Sequence, residues 1–251
     1  MAEAALQAAL APAKRDGIAV VAIANNNHLG MMSWYAEWLA SRGLISIGLS
    51  TSEALVHAWG GTKAMLGTNP IAIGIPAEPR PFVLDMATSL VSMGQIHDYA
   101  EKGLPIEPGW ALDADGNPTT DAGLAKTGSL SPFGGPKGFA LGLAIQLLVA
   151  SLTSSALGRD VLGTLDETQV CNKGDVFILV DPAAASGHAI SRVIGDYLAQ
   201  IRSDTPAAGF DRVAIPNDRA LAVREQRLRD GVPMSERLWG TLLSLSQAKI
   251  H

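Results

Sequence analysis

The residue of this chain best suited to move a proton is a histidine that follows three asparagines, in the run Asn25-Asn26-Asn27-His28-Leu29-Gly30. It stands directly after the apolar stretch Ile18 to Ala24. Enzymes with α/β folds commonly place polar chemistry just beyond the end of a buried strand. Imidazole is the side chain whose ordinary titration lies nearest neutral pH, so it gives or takes a proton there. The same residues also read as a loop histidine with capping asparagines. A second segment, Gly134-Gly135-Pro136-Lys137-Gly138, combines glycines that let backbone amides approach a ligand, the free N–H groups of a following helix, and a lysine charge. That combination suits the phosphates of a nucleotide. It also suits a tight turn before a core helix, with Lys137 solvated. In Phe82 to Ser89 the chain passes from strand to helix through Asp85, which is placed to accept from a ribose or a catalytic partner, or to cap the helix as Thr88 or Ser89 would. Leu66-Gly67-Thr68-Asn69-Pro70 is a turn by composition and rich in donors for a polar substrate.

These segments need elements to position them. Glu3 to Arg15 has the pattern of an amphipathic helix stopping near Gly17, and Ile18 to Ala24 that of a strand. Gly30 to Arg42 carries Met31, Trp34, Tyr35, Trp38 and Leu39 at helical spacing and ends at Gly43; Leu44 to Leu49 is a second strand, so strand–helix–strand is a βαβ candidate. Thr51 to Pro70 is mostly irregular. Ile71 to Ile75 and Phe82 to Met86 are short strands, Thr88 to Lys102 a helix, and Asp115-Gly116 a turn in a polar excursion. Gly109 to Asp113 reads as a hairpin entry anchored by Trp110. The run from Gly134 opens a buried helix ending near Leu152; Asp175 to Val180 is a strand, His188 to Ser203 a helix, Val213 to Ile215 a short strand, and Asp218 to Arg229 and Ser235 to Lys249 are helical. The fold class is α/β in the broad sense, mixed α+β. It is expected as one body over 1–251, with a core at 18–182 and a helical part at 183–251.

Composition narrows the function. Of 251 residues 47% are hydrophobic and 17% charged, with a net charge of −5; disorder and a nucleic-acid partner, which needs a basic face, are both disfavoured. Cys171 is the only cysteine, so there is neither an intrachain disulfide nor a cysteine metal cluster. No basic leader precedes the first apolar residues, and the apolar run Phe139 to Leu152 is interrupted by Gly142 and Gln146 and is shorter than a membrane span. A cytoplasmic protein with no membrane partner is expected. No histidine pair has metal-ligand spacing, and Asp113-Ala114-Asp115-Gly116-Asn117 fails as a calcium loop because its glycine is misplaced and Leu124 stands where the closing glutamate belongs; no metal is expected. His57, His97 and His188 read as structural or solvated. Neither the G-x-G-x-x-G nor the G-x-x-x-x-G-K-[ST] nucleotide signature occurs.

In order along the chain, Asn27-His28-Leu29-Gly30, Gly60-Gly61, Leu66 to Pro70, Leu84 to Ser89, Gly109-Trp110-Ala111, Asp115-Gly116 with Thr119-Thr120-Asp121, and Gly134 to Gly138 resemble the malate/L-lactate dehydrogenase family. That family includes L-sulfolactate, ureidoglycolate and diketogulonate oxidoreductases and Δ1-piperideine-2-carboxylate reductase. The resemblance implies a non-Rossmann NAD(P)-binding fold of the L-sulfolactate dehydrogenase type, NAD or NADP as cofactor, a small 2-oxo or 2-hydroxy acid as substrate, and a homodimer. It assigns His28 as acid/base, Ser52, Asp85, Met86, Ala87 and Lys137 to the cofactor, and Asn27, Thr68 and Asn69 to the substrate. Two departures stand beside it. The family's N-terminal Ser-His-Gly stretch and its nearby arginine do not occur here, so a truncated member is expected. In His57-Ala58-Trp59-Gly60-Gly61 the proline that commonly precedes Trp-Gly-Gly is missing. The alternatives to a 2-hydroxy-acid dehydrogenase are a non-catalytic remnant of the fold and a cyclic imino-acid reductase.

Overall fold

The computed structural model describes residues 1–164, 168–186 and 190–247. Helix α1 (Ala2–Asp16) leads into strand β1 (Ile18–Ala24), then α2 (Met32–Ala40) and β2 (Ile45–Ser50). Short strands β3 (Val56–His57) and β4 (Ala64–Leu66) precede the hairpin pair β5 (Ile71–Ile75) and β6 (Phe82–Met86). Helix α3 (Met93–Glu101), β7 (Ala111–Leu112), β8 (Pro118–Thr119), α4 (Ala122–Ala125) and β9 (Ser129–Leu130) follow. The long helix α5 (Pro136–Thr153), strand β10 (Gly174–Val180) and helices α6 (Pro182–Ser186), α7 (Ser191–Arg202), α8 (Asp218–Asp230) and α9 (Glu236–Gln247) complete the chain.

Five strands form the main sheet in the order β1-β10-β2-β5-β6, each antiparallel to its neighbours. The expected βαβ unit is therefore half right. β1 and β2 run the same way, but β10, more than a hundred residues downstream, lies between them. The apolar run Val176-Phe177-Ile178-Leu179-Val180 suits that central place because both faces of the strand are covered. Phe177 and Leu179 pack with Leu6, Ala13, Met32, Ala36 and Leu39 of α1 and α2 on one face. Val176 and Ile178 pack with Ile145 and Val149 of α5 on the other. A second sheet, β4-β3-β9-β7-β8, is made of two- and three-residue strands around Val56, Leu66, Ala111 and Leu130, with Ile96 of α3 and Ala122 and Ala125 of α4. Trp110 anchors its hairpin against Tyr99, with ring centroids 5.5 Å apart.

Several boundaries depart from the sequence reading. Helix α3 starts at Met93, capped by Ser92, whose hydroxyl accepts from the Gln95 N–H. Thr88 and Ser89 do not cap it. Both are buried, and Ser89 pairs across to Pro132 in an isolated bridge. Helix α5 is not fully buried. Ile145, Gln146 and Val149 face the sheet, while Leu141, Leu147, Leu148 and Leu152 are exposed. Its length and composition alone would suffice to cross a membrane. Residues 213–215 form no strand, since a strand exists only when another offers a ladder to pair with. His188 lies outside the described residues.

The chain divides into two compact units, Met1–Gln200 and Ile201–His251. Within the second, the Arg202 guanidinium grips the Asp218 carboxylate with Nε at 3.0 Å and Nη2 at 2.8 Å. That contact holds the Asp218 carboxyl below its ordinary range despite partial burial. Helix α8 has no buried residue.

Candidate active site

Antiparallel alternation brings the ends of β1, β2 and β6 and the beginnings of β10 and β5 to one end of the main sheet. The segments carrying His28, Ser52, Asn69 and Asp85 all adjoin that end.

Beyond β1, Asn25 takes a left-handed backbone (φ 52°) and turns the chain out of the sheet, a conformation asparagine tolerates better than most residues. Asn26 is then held at three points. Its N–H donates to the Lys173 carbonyl, its Nδ2 donates to the Asp175 carboxylate at 2.8 Å, and its own carbonyl accepts from the Cys171 thiol at 2.9 Å. Asn27 and His28 are exposed. The Gly30 N–H donates to His28 Nδ1 at 2.9 Å, so the neutral ring carries its proton on Nε2. The Leu29 carbonyl accepts from the Tyr35 hydroxyl at 3.1 Å. Burial pushes the Tyr35 phenol up, and the negative charges of Asp175 and Glu3 add to this; the hydroxyl stays protonated and the tether persists through neutral pH.

Asp85 does cap a helix, but not the one that follows it. Its carboxylate accepts from the Ser33 N–H at 2.7 Å in the first turn of α2, whose own N-cap, Met31, supplies no side-chain acceptor. A carboxylate there is also favoured by the positive end of the helix dipole. Asp85 thus stands beside the His28–Gly30 loop.

Ser52 begins a chain of contacts that runs to α5. Its hydroxyl accepts from the Thr68 N–H at 3.1 Å, and the Thr68 carbonyl accepts both the N–H and the hydroxyl of Thr88 at 2.8 and 2.9 Å. The Thr88 carbonyl accepts from Phe133 N–H at 3.1 Å, directly before Gly134. Gly67 permits the Ser52–Thr68 approach: a Cβ there would sit 2.5 Å from the Ser52 carbonyl oxygen. Met86 and Ala87, half-buried, lie between Asp85 and Thr88.

Lys137 is exposed in the first turn of α5. The N-cap, Gly135, has φ 63° and no side chain to satisfy the first helical amides. A Cβ on Gly135 would also meet the Trp59 ring at 2.9 Å. Asn69 is placed differently from the expectation that it faces substrate. It is fully buried, and its Nδ2 donates to the Gly142 carbonyl and to Gln146 Oε1, at 3.0 and 2.9 Å. It ties the 67–70 turn to α5. His57, read as structural, is buried, with ring nitrogens 2.9 Å from the Ala58 carbonyl oxygen and 3.3 Å from the Ser131 hydroxyl.

Sequence reasoning passed over Lys173, Asp175, Ser50 and Tyr35. Lys173 and Asp175, 2% and 0% exposed, form a buried ion pair. The signal that marks them is a lysine and an aspartate at the head of an otherwise apolar strand. His28 lines neither the cleft of about 410 Å³ bordered by Glu53, Lys63 and Arg159 nor the one of about 460 Å³ beside Gly103 and Asp121; it is exposed just beyond the end of β1.

A model of the malate/L-lactate dehydrogenase family matches residues 1–243. The L-sulfolactate dehydrogenase of Methanocaldococcus jannaschii is 36% identical over 239 residues, covering 95% of this chain and 69% of its own length. Its solved structure superposes with a TM-score of 0.87. A dehydrogenase from Sinorhizobium meliloti superposes with a TM-score of 0.91 at 49% identity, covering 97% of this chain and 71% of that one. A Δ1-pyrroline-2-carboxylate/Δ1-piperideine-2-carboxylate reductase of Pseudomonas aeruginosa is 35% identical over 241 residues, covering 94% of this chain and 70% of its own.

Proposed function

The chain belongs to the malate/L-lactate dehydrogenase family, and from that premise we propose that it passes a hydride between a nicotinamide cofactor and a small 2-hydroxy or 2-oxo acid, with His28 as the acid/base. The observation that carries this reading is the convergence of the His28 loop, Asp85, Ser52 and, through the Thr68–Thr88–Phe133 contacts, the start of α5. The cofactor, NAD or NADP, supplies or accepts the hydride at its nicotinamide ring. The donors here fit such a group: an α5 start with no side-chain cap and an exposed Lys137 beside it suit phosphate oxygens. Ser52, Asp85, Met86 and Ala87 line the rest of that path.

His28 presents Nε2–H outward to a substrate oxygen, with the Gly30 N–H fixing the tautomer. In reduction the acid is the imidazolium form, which gives its Nε2 proton to the developing alkoxide and leaves a neutral ring with its proton on Nδ1; oxidation runs the same transfer backwards, with Nε2 of that neutral ring taking the hydroxyl proton. Both forms carry a proton on Nδ1, so the ring releases the Gly30 N–H before it reacts. In this reading exposed Asn27 and half-buried Thr68 contact the substrate, and Asn69, tying the 67–70 turn to α5, holds Thr68 in place.

The test is a nicotinamide absorbance assay with NADH and NADPH against oxaloacetate, pyruvate, sulfopyruvate and a cyclic imino acid. His28→Ala should lower kcat by about 10²–10⁴-fold and leave cofactor affinity unchanged; unchanged turnover ends the assignment. Lys137→Ala should raise the cofactor KM by about tenfold, the scale of one charge-assisted contact, with little effect on the substrate KM. Preference for the cyclic imino acid would favour the reductase reading, which the Pseudomonas aeruginosa relative supports. Absence of both cofactor binding and turnover would mark a remnant of the fold.

The partner we infer is a second copy of the chain. Leu141, Leu148 and Leu152 form one exposed apolar stripe on α5, of the kind that marks an interface. Leu148→Asp should shift the mass measured by light scattering from dimer to monomer; a monomeric parent protein would refute this.

A further inference from the structure

We propose that Asp175 is a positioning residue that holds the His28 loop and the Ser52 loop in register, with Lys173 fixing its buried carboxylate. The inference rests on the reading of His28 and Ser52 given above.

β1 and β2 do not pair, because β10 lies between them. A side chain on β10 can therefore reach the loops leaving both, and Asp175 stands at its head, paired with Ile23 of β1 and Ser50 of β2. Its Oδ2 accepts from Asn26 Nδ2 at 2.8 Å, two residues before His28. Its Oδ1 accepts from the Ser50 hydroxyl at 2.6 Å, two residues before Ser52. Lys173 Nζ donates to the same Oδ1 and reaches the Ser50 hydroxyl at 3.3 Å. The neighbouring backbone grips the same two loops. The Cys171 thiol donates to the Asn26 carbonyl, the Asn26 N–H donates to the Lys173 carbonyl, and Gly174 exchanges hydrogen bonds with Thr51 through its N–H and its carbonyl.

Core stability does not require this arrangement. Replacing a buried ion pair by apolar residues of similar volume is often neutral or stabilising, and the strand it heads is otherwise apolar. Besides Lys173 Nζ, the Asp175 carboxylate accepts from Asn26 and Ser50. A carboxylate shared in this way sets the spacing between a proton donor and a cofactor contact, and misplacement by about 1 Å costs about 10²-fold in rate.

Three variants test it: Asn26→Ala, Ser50→Ala, and the double variant Lys173→Met with Asp175→Leu, which removes both charges together. Each is measured for melting temperature, amide hydrogen exchange in residues 25–30 and 51–54, dissociation constant for NADH and NADPH, and kcat. Asn26→Ala should speed exchange in 25–30 and lower kcat about tenfold or more with cofactor affinity unchanged. Ser50→Ala should speed exchange in 51–54 and weaken cofactor affinity more than it lowers kcat. The double variant should melt at or above the parent temperature, yet show both losses at once. A folded double variant with parental exchange, affinity and kcat overturns the proposal. If the double variant does not fold, the two single variants decide, since they leave the ion pair intact; parental exchange in both loops overturns it. Exchange and affinity are read without turnover. A His28→Ala protein that keeps its kcat would therefore end the acid/base reading without touching the tether.

Discussion

An aspartate–lysine pair stands at each end of strand β10, and the two pairs are built for different work. At the head, Lys173 and Asp175 have side chains 3% and 0% exposed, and the carboxylate also receives Asn26 and Ser50. Just past the tail, Asp181 meets Lys14 at 3.3 Å, and Lys14 keeps 46% of its side chain in solvent while reaching also for the Gly43 carbonyl. Burial resists the charge on Asp181, but the Ala183 N–H and Lys14 outweigh it and hold its carboxyl below the ordinary range. The tail pair joins a helix end to a strand end where the connections are short. The head pair lies under two loops that carry proposed site residues. The same two residue types act as a surface clasp in one place and as an internal alignment pin in the other, and solvent access makes the difference.

Breaking the head pair on one side should have the largest effect on stability. Lys173→Met strands a buried carboxylate and should cost about 3–5 kcal/mol, read by urea unfolding. A loss no greater than that of a surface substitution would show that Asp175 is not desolvated as the structure has it. Next in size, Tyr35→Phe removes the tether on the Leu29 carbonyl and should cost about 1 kcal/mol. It should also speed amide exchange at residues 28–30, which a change confined to α2 would not do. Smallest is Lys14→Met at the tail, expected to cost less than about 1 kcal/mol. Its pH dependence has a definite sign. Asp181 titrates lower in the folded chain than in the unfolded one, so its contribution is fully present above the ordinary aspartate value. It fades as the pH falls through the lowered one. The stability gap between parent and Lys14→Met should thus be constant near neutrality and close below about pH 4. A gap that widened in acid would contradict the pairing.

Much of the local structure was legible. Ile18–Ala24, Ile71–Ile75 and Phe82–Met86 are strands with the expected bounds, because β-branched apolar runs flanked by turn residues have few other ways to bury themselves. Helix α1 and its stop at Gly17 follow from local spacing as well. Thr88 and Ser89 misled because a hydroxyl that suits a helix cap serves equally well to bond a distant turn, here the Thr68 carbonyl. The strands of the second sheet are too short for any periodicity and exist only through pairing. In the site, His28 stood out by its residue type and its place after a strand. Asp85 was readable as a cap but not as the cap of α2, whose first turn it reaches from a strand 52 residues away.

From the order of its residues alone this chain determined several of its turns, the strands of its main sheet and its longer helices, and which family its motifs match. Each of these depends on neighbours a few positions apart. Only the tertiary structure decided that β10 would lie between β1 and β2, that Asn69 would face α5, and that one carboxylate would join Asn26 to Ser50. Those contacts link residues as many as 149 positions apart. A hydrogen bond at that separation leaves no local pattern, because it forms only once packing has brought its two ends together.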